Sequence, residues 1–318
     1  MSHDQPSLFD IPPAAPPPAS PSRSRKSDLD PSTPLAVAFE SWLDHLRRQD
    51  TSFHTFTAFK CDVNILLEHL DPSTPLNTIT TATLNKFLDW MRNERGKPCS
   101  DKTYGRRVTS LKAFFRWVTP LAELRADPSE VVLQLSVRSP LPEILTDDEV
   151  EKCLAAGEIL RHGEKPDIRP LVLFKLLLDT GMKKVEVANL KKEHIDLSNA
   201  AEPFLFVRYP EKKDWPKERK LKLTPEWVEI YRDYLAEYAP KDVVFTWSVR
   251  KLEYALGDTG RAAGLEKNVS FDMMRWTCAV RDYKSGMEED ALRRKMGLSP
   301  IQWRETGERI RKMVESTE

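Results

Sequence analysis

No histidine follows His194 and no tyrosine follows Tyr283 in this chain of 318 residues. The C-terminal third is therefore without an imidazole base, and its last segment is without a phenolic nucleophile. Cysteine is scarce as well. Cys61, Cys99, Cys153 and Cys278 lie far apart, and no histidine accompanies them at metal-ligand spacing. This argues against a disulfide framework and against a zinc site, and for reduced thiols of an intracellular protein. No apolar run approaches membrane-spanning length, and the N-terminus is acidic and proline-rich rather than basic and then apolar. Neither a membrane association nor a secretory leader is expected. Charge of a prevailing sign is missing too: 49 Lys and Arg balance 49 Asp and Glu. The whole molecule then has no net attraction for a polyanion, and any such binding must use local basic surfaces.

What is present is enough apolar residue, 40% of the chain, to build two cores. Residues 11–34 are dominated by Pro, Ala and Ser, so residues 1–34 read as an extended, disordered arm. Val37, Phe39, Trp42, Leu43 and Leu46 then recur at helical spacing, and like patterns follow over residues 56–70, 81–93 and 100–118. These predict a four-helix unit over 35–131. Its last helix has Ser100 or Asp101 as N-cap and places Leu111, Phe114, Phe115 and Val118 on one side. Arg106, Arg107, Lys112 and Arg116 are left for the other face.

Pro140 and Pro142 discourage helix and mark a linker over 132–143. A second domain over 144–318 opens with Thr146 and Glu149, a capping-box pair. Residues 168–179 form a strongly apolar helix that Gly181 should end, followed by a short helix with Val185, Val187 and Leu190. The period then changes to two. Phe204, Phe206 and Arg208, and later Leu221 and Leu223, predict strands flanking the charged loop EKKDWPKERK. Three or four helices should fill the remainder, broken by turns near Gly257, Gly264, Gly286 and Ser299–Pro300.

The first unit resembles the core-binding domain of tyrosine recombinases (phage integrases), with Thr103, Val108, Leu111, Phe114 and Phe115 in the pattern of the last helix and Asp127–Pro128 after it. The second resembles their catalytic domain, from Leu141–Pro142 and Leu145–Thr146 through LLLDTGMKKVEVANLKKEHIDL. The resemblance implies a two-domain fold, mainly α with a small antiparallel β-sheet, that grips double-stranded DNA between its domains. It also implies a site in which arginines, a lysine and histidines hold a phosphodiester that a tyrosine attacks.

Carried over residue by residue, that site is largely unmatched. Thr180, Gly181, Met182, Lys183 and Glu186 occupy the Thr-Gly-Leu-Arg segment and its following Glu, so Lys183 stands for the first arginine. Lysine keeps the charge but loses the planar fork that clamps two phosphate oxygens. The hairpin of the catalytic lysine corresponds to Lys212, Lys213, Lys217 and Arg219, which are interleaved with Glu211, Asp214 and Glu218 and also read as a plain solvated turn. His-x-x-Arg becomes Asp272-Met273-Met274-Arg275. Here Arg275 is retained, and the aspartate would repel a phosphate unless a cation pairs with it. A structural arginine paired with Asp272 or Glu186 is the competing reading of Arg275. Leu298 takes the place of the later His or Trp, and the nucleophile's place falls at Gly307.

No catalytic residue, cofactor or metal is expected on this reading. The expectation is a DNA-binding protein of recombination or integration without strand cleavage. Its DNA contacts would be Lys183, Lys212, Lys213, Lys217, Arg219, Arg275, Arg106, Arg107 and Arg116, since arginines on such a helix can read base edges or position phosphates. Tyr104 suits a core role equally well, and Trp303 and Ile310 should pack the last helix. Gln5, Leu8 and Phe9 further resemble the peptide by which bacterial replication proteins dock on the sliding clamp. The expected partners are DNA, that clamp, and a second copy or an active recombinase, at the nucleoid in the cytoplasm. The alternatives are a divergent active recombinase whose nucleophile comes from a partner subunit, and a clamp-tethered interaction module.

Overall fold

Ser52, Thr80 and Ser100 each stand one residue ahead of a helix, and each hydroxyl accepts the backbone N–H three residues on. These caps set the frame of the first half of the chain. The structure, a computed structural model, describes residues 29–97, 99–132 and 140–316. It divides into two units, Met1–Ser139 and Pro140–Glu318. The clamp-like peptide with Gln5, Leu8 and Phe9 lies outside the described residues, as does most of the linker.

In the first unit, α1 (Leu35–Arg48), α2 (Phe53–His69), α3 (Thr81–Asn93) and α4 (Asp101–Leu121) enclose an aromatic core. Trp42 stacks on Phe59 at 5.3 Å between ring centroids, and Phe39 meets Phe114 edge-on at 6.3 Å. Residues 29–34, expected in the disordered arm, belong instead to this fold. Leu29 packs against the core, the Asp30 carboxylate accepts the Ser32 amide at 2.7 Å, and the Thr33 carbonyl accepts the Leu76 amide at 3.1 Å. An aspartate-initiated turn supplies the local hydrogen bonds that composition alone did not reveal.

The second unit begins with α5 (Asp147–His162), where Thr146 and Glu149 make the expected reciprocal cap. Next comes α6 (Arg169–Thr180), whose Leu171 to Leu177 are buried on nearly every side because α5, α8, α9 and α10 all pack on it. The short α7 (Lys184–Ala188) leads to a three-stranded antiparallel sheet, β1 (Ile195–Asp196), β2 (Phe204–Val207) and β3 (Arg219–Lys222), in the order β1-β2-β3. Leu205 pairs with Leu221, so these two and Val207 face the core. Phe204 and Phe206, whose alternation predicted β2, sit on its outer face. There Lys220 Nζ covers the Phe204 ring at 3.4 Å and Arg208 lies 4.8 Å from that of Phe206.

Five helices complete the unit: α8 (Pro225–Tyr238), α9 (Val249–Ala262), α10 (Phe271–Lys284), α11 (Glu289–Lys295) and α12 (Pro300–Glu315). Gly257, read as a turn, lies inside α9. A Cβ there would stand 3.0 Å from Asn268 Oδ1, and one at Gly260 would stand 2.6 Å from Val269, so the glycines admit the neighbouring chain rather than bend their own. No described helix is long and apolar enough to cross a membrane.

Candidate active site

Helix α6 ends because Gly181 adopts φ +58°, a left-handed conformation that favours glycine. The chain passes buried Met182 and enters α7 with Lys183 at its N-cap and Glu186 one turn in. The Glu186 carboxylate is fully enclosed. It accepts the Lys183 amide at 2.8 Å, the Arg219 Nη1 and Nη2 at 3.0 and 2.8 Å, and the hydroxyl of Tyr209. Burial pushes its pKa up, but the hydrogen bonds and charge of Arg219, with Tyr209 and the Lys183 amide, outweigh this and hold the carboxyl below its ordinary value.

Arg219 is therefore not a DNA-facing cation, contrary to expectation. Its Nε donates to the Lys295 carbonyl at 2.6 Å, its Nη1 also reaches the Lys217 carbonyl at 3.1 Å, and its side chain is 7% exposed. Gly297, at φ +58°, lets the guanidinium approach: a Cβ there would lie 2.8 Å from Nη1.

Arg275 is a second inward arginine. Nη1 donates to the Gly181 carbonyl at 2.6 Å and Nη2 to that of Met296, so backbone carbonyls, rather than Asp272 or Glu186, are its hydrogen-bond partners. Burial lowers its pKa, with a smaller opposing pull from Glu186. Two of its five N–H donors are engaged, which leaves the guanidinium able to serve a ligand as well.

Lys183 differs from both arginines. Its ammonium makes no hydrogen bond or ion pair among the described residues, although the side chain is half-buried. Burial depresses its pKa; Glu186 opposes this, while Arg275, Arg219 and Lys217 add to it. Lys183, Arg275 and Asp272 line one cleft of about 650 Å³ together with Lys184, Tyr254 and Arg261. Lys184 is paired with Glu253 at 2.7 Å and Arg261 with Asp258, whereas Asp272 is exposed and unpaired among the described residues. The cleft thus presents an unpartnered ammonium and a partly free guanidinium, with a carboxylate beside them. That set can hold a phosphate oxygen but contains no histidine to move a proton.

The remaining positions separate from this cleft. Leu298 is partly buried against a small core of α10, α11 and α12 residues. Gly307 is buried under the ring of Trp303, whose Nε1 donates to Glu289 at 3.2 Å; a Cβ at 307 would lie 3.0 Å from that ring. Neither lines the cleft.

In the hairpin, residues 212–217 form a 3-10 helix rather than an irregular loop. Lys213 pairs with Glu211 and Lys217 with Asp214, while Lys212 is exposed and unpaired among the described residues. On α4 the outward face is smaller than expected. Arg106 makes two hydrogen bonds to buried Asp62, one of 2.8 Å from Nη2; Ser110 Oγ donates to the same carboxylate at 2.6 Å, and Arg107 Nε lies 3.7 Å from it. A buried carboxylate on α2 holds these cations, because left alone it would carry an uncompensated charge; Arg107 is drawn inward, whereas Arg106 reaches it while its side chain stays 45% exposed. Arg116 stays exposed, and Arg92 stacks over the Tyr104 ring at 5.6 Å. Tyr209, Tyr254 and Arg261 carried no signal in the sequence, since no fixed spacing links them to Lys183.

Residues 143–303 match the phage integrase family, and residues 39–120 match the phage integrase N-terminal SAM-like domain. A tyrosine recombinase of Thermosipho africanus is 24% identical over 266 residues, 81% of this chain and 89% of that one. The tyrosine recombinase XerD of Listeria innocua is 22% identical over 270 residues, 79% and 86% of the two chains. Among solved structures, XerH site-specific recombinase bound to palindromic difH substrate superimposes with a TM-score of 0.70 at 18% identity, covering 89% of this chain and 82% of that one. A lambda integrase dimer bound to a COC' core site gives 0.69 at 14% identity, covering 86% and 77%.

Proposed function

The chain belongs to the phage integrase family, and from that premise we propose that it binds double-stranded DNA without cleaving it. The observation that carries this reading is the division of the inherited site. Lys183 and Arg275 share a cleft, while Gly307, where the resemblance puts the nucleophile, is enclosed beneath Trp303 and does not line it. The solved structures named above are bound to a COC' core site and to palindromic difH substrate, which supports a recombination site in duplex DNA as the ligand.

In this reading the Lys183 ammonium meets a phosphate oxygen as a point charge, and the free donors of Arg275 add directional hydrogen bonds. Strand cleavage needs a nucleophile, a proton path and a leaving-group acid. Asp272 in the histidine's place supplies none of the electrostatic help a departing oxygen requires, and loss of one well-placed donor alone typically slows such a step on the order of 10²–10³-fold. Exposed Lys212 on the hairpin and Arg116 on α4 would add backbone contacts.

The test is binding of labelled duplex DNA over a salt series by wild type and Lys183→Met, with each reaction also denatured to look for a covalent adduct. Affinity should fall steeply with salt, and the variant's salt slope should be shallower by about one phosphate contact, with no adduct from either protein. A covalent adduct would overturn the non-cleaving reading. Absence of binding at any salt would overturn the DNA-binding one and turn attention to the Gln5–Phe9 peptide.

A further inference from the structure

The hairpin between β2 and β3 carries more than lysines. At its tip Trp215 is 52% exposed, whereas each of the other tryptophans is buried or half-buried. The ring stacks on no other aromatic residue and lies under no cation among the described residues. The backbone beneath it is nevertheless fixed. The Asp214 amide donates to the Glu211 carbonyl and the Glu218 amide to that of Trp215, each at 2.9 Å. Pro216 locks the next φ, and the ion pair of Lys217 with Asp214 spans the turn. An indole presented in this way gives up little conformational freedom when a partner covers it.

Its neighbours indicate what that partner is. Lys212, Lys213 and Lys217 surround it in sequence; Lys213 and Lys217 are paired with Glu211 and Asp214, and Lys212 lacks an anionic partner among the described residues. Arg219 Nη1 donates to the Lys217 carbonyl at 3.1 Å, and the same guanidinium holds the Glu186 carboxylate that accepts the Lys183 amide, so hydrogen bonds tie the C-terminal side of the tip to the candidate phosphate site. A flat apolar ring next to phosphate-binding cations fits a nucleobase. In continuous duplex the base faces are hidden by stacking, and only the groove edges and phosphates are offered. A base face becomes available where the stack is interrupted.

We propose that Trp215 stacks on an unstacked base next to the phosphate held at Lys183, making the protein selective for interrupted duplex DNA over continuous duplex. The inference rests on the DNA-binding reading above and adds to it the structure of the preferred ligand. The experiment compares wild type, Trp215→Ala and Trp215→Phe on a continuous duplex and on the same duplex lacking a single nucleotide, at one salt concentration, after thermal melts have established that all three fold. Wild type should prefer the gapped duplex. Trp215→Ala should lose roughly tenfold in affinity for it with little change on continuous duplex, and Trp215→Phe, which keeps an aromatic face, should retain most of the preference. No preference in wild type, equal losses on both DNAs, or no loss in Trp215→Ala would overturn the proposal while leaving DNA binding intact. If wild type binds neither DNA, the DNA-binding reading itself fails and this inference falls with it.

Discussion

Lys183 is a half-buried ammonium facing other cations, an arrangement that a folded protein tolerates better with an anion bound. Its folded pKa lies below the ordinary 10.5, so the unfolded chain holds this proton more tightly. Stability therefore rises with pH between the folded and unfolded values, and at neutral pH the charged side chain is a burden on the fold. We expect Lys183→Met to raise stability at neutral pH by about 0.5–1 kcal/mol, and to flatten the alkaline rise, while it weakens DNA binding. Denaturant midpoints across a pH series check the first two outcomes.

At Glu186 the fold instead favours the charged form. Its folded pKa is below 4.5, so its contribution is present above the unfolded value and is lost as pH falls through the folded one. Removing the charge from this enclosed pair with Arg219 in Glu186→Gln should destabilise the protein at neutral pH by about 3–5 kcal/mol. Acid denaturation should also be shallower in the variant than in wild type when both are followed below about pH 5. The glutamate was legible in the sequence through its spacing from Lys183. Its ion-pair partner was not, because Arg219 lies on β3 and only the fold brings it across.

Among the elements, α6 and its glycine stop, the Thr146–Glu149 cap and the strand pair flanking the hairpin follow from local rules of period and capping, and all were readable in sequence. Glycine was the ambiguous letter. At Gly181 it ends a helix, at Gly257 and Gly260 it admits a packed neighbour, and at Gly297 it does two things at once. Gly297→Ala should cost at least about 1–2 kcal/mol from the left-handed backbone alone. A further loss is expected because the new Cβ would displace the Arg219 guanidinium from Glu186 and Lys295. Thermal unfolding of the variant measures the sum, and a change no larger than the backbone term would show that Arg219 adjusts freely.

At the scale of the whole molecule, each unit has its own apolar core: the aromatic cluster of α1 to α4 in one, and in the other the cluster around α6 with the smaller one under α12. Residues 140–318 expressed alone should therefore unfold cooperatively, in a single denaturant transition that different probes report at the same midpoint. A broad or probe-dependent transition would show that the second unit depends on the first. The sequence by itself determined the helical class, the family, and the absence of any histidine after His194 and any tyrosine after Tyr283, because period, capping and the residue inventory are local properties of the chain. Only the tertiary structure decided which cations remain available to a ligand. Arg107 and Arg219 answer buried carboxylates contributed by other elements, Arg106 pairs with the same aspartate as Arg107 while staying exposed, and Arg275 keeps donors free beyond the two backbone carbonyls it meets. Lys183 is left unpaired, because ion pairing inside a fold depends on which distant segments meet.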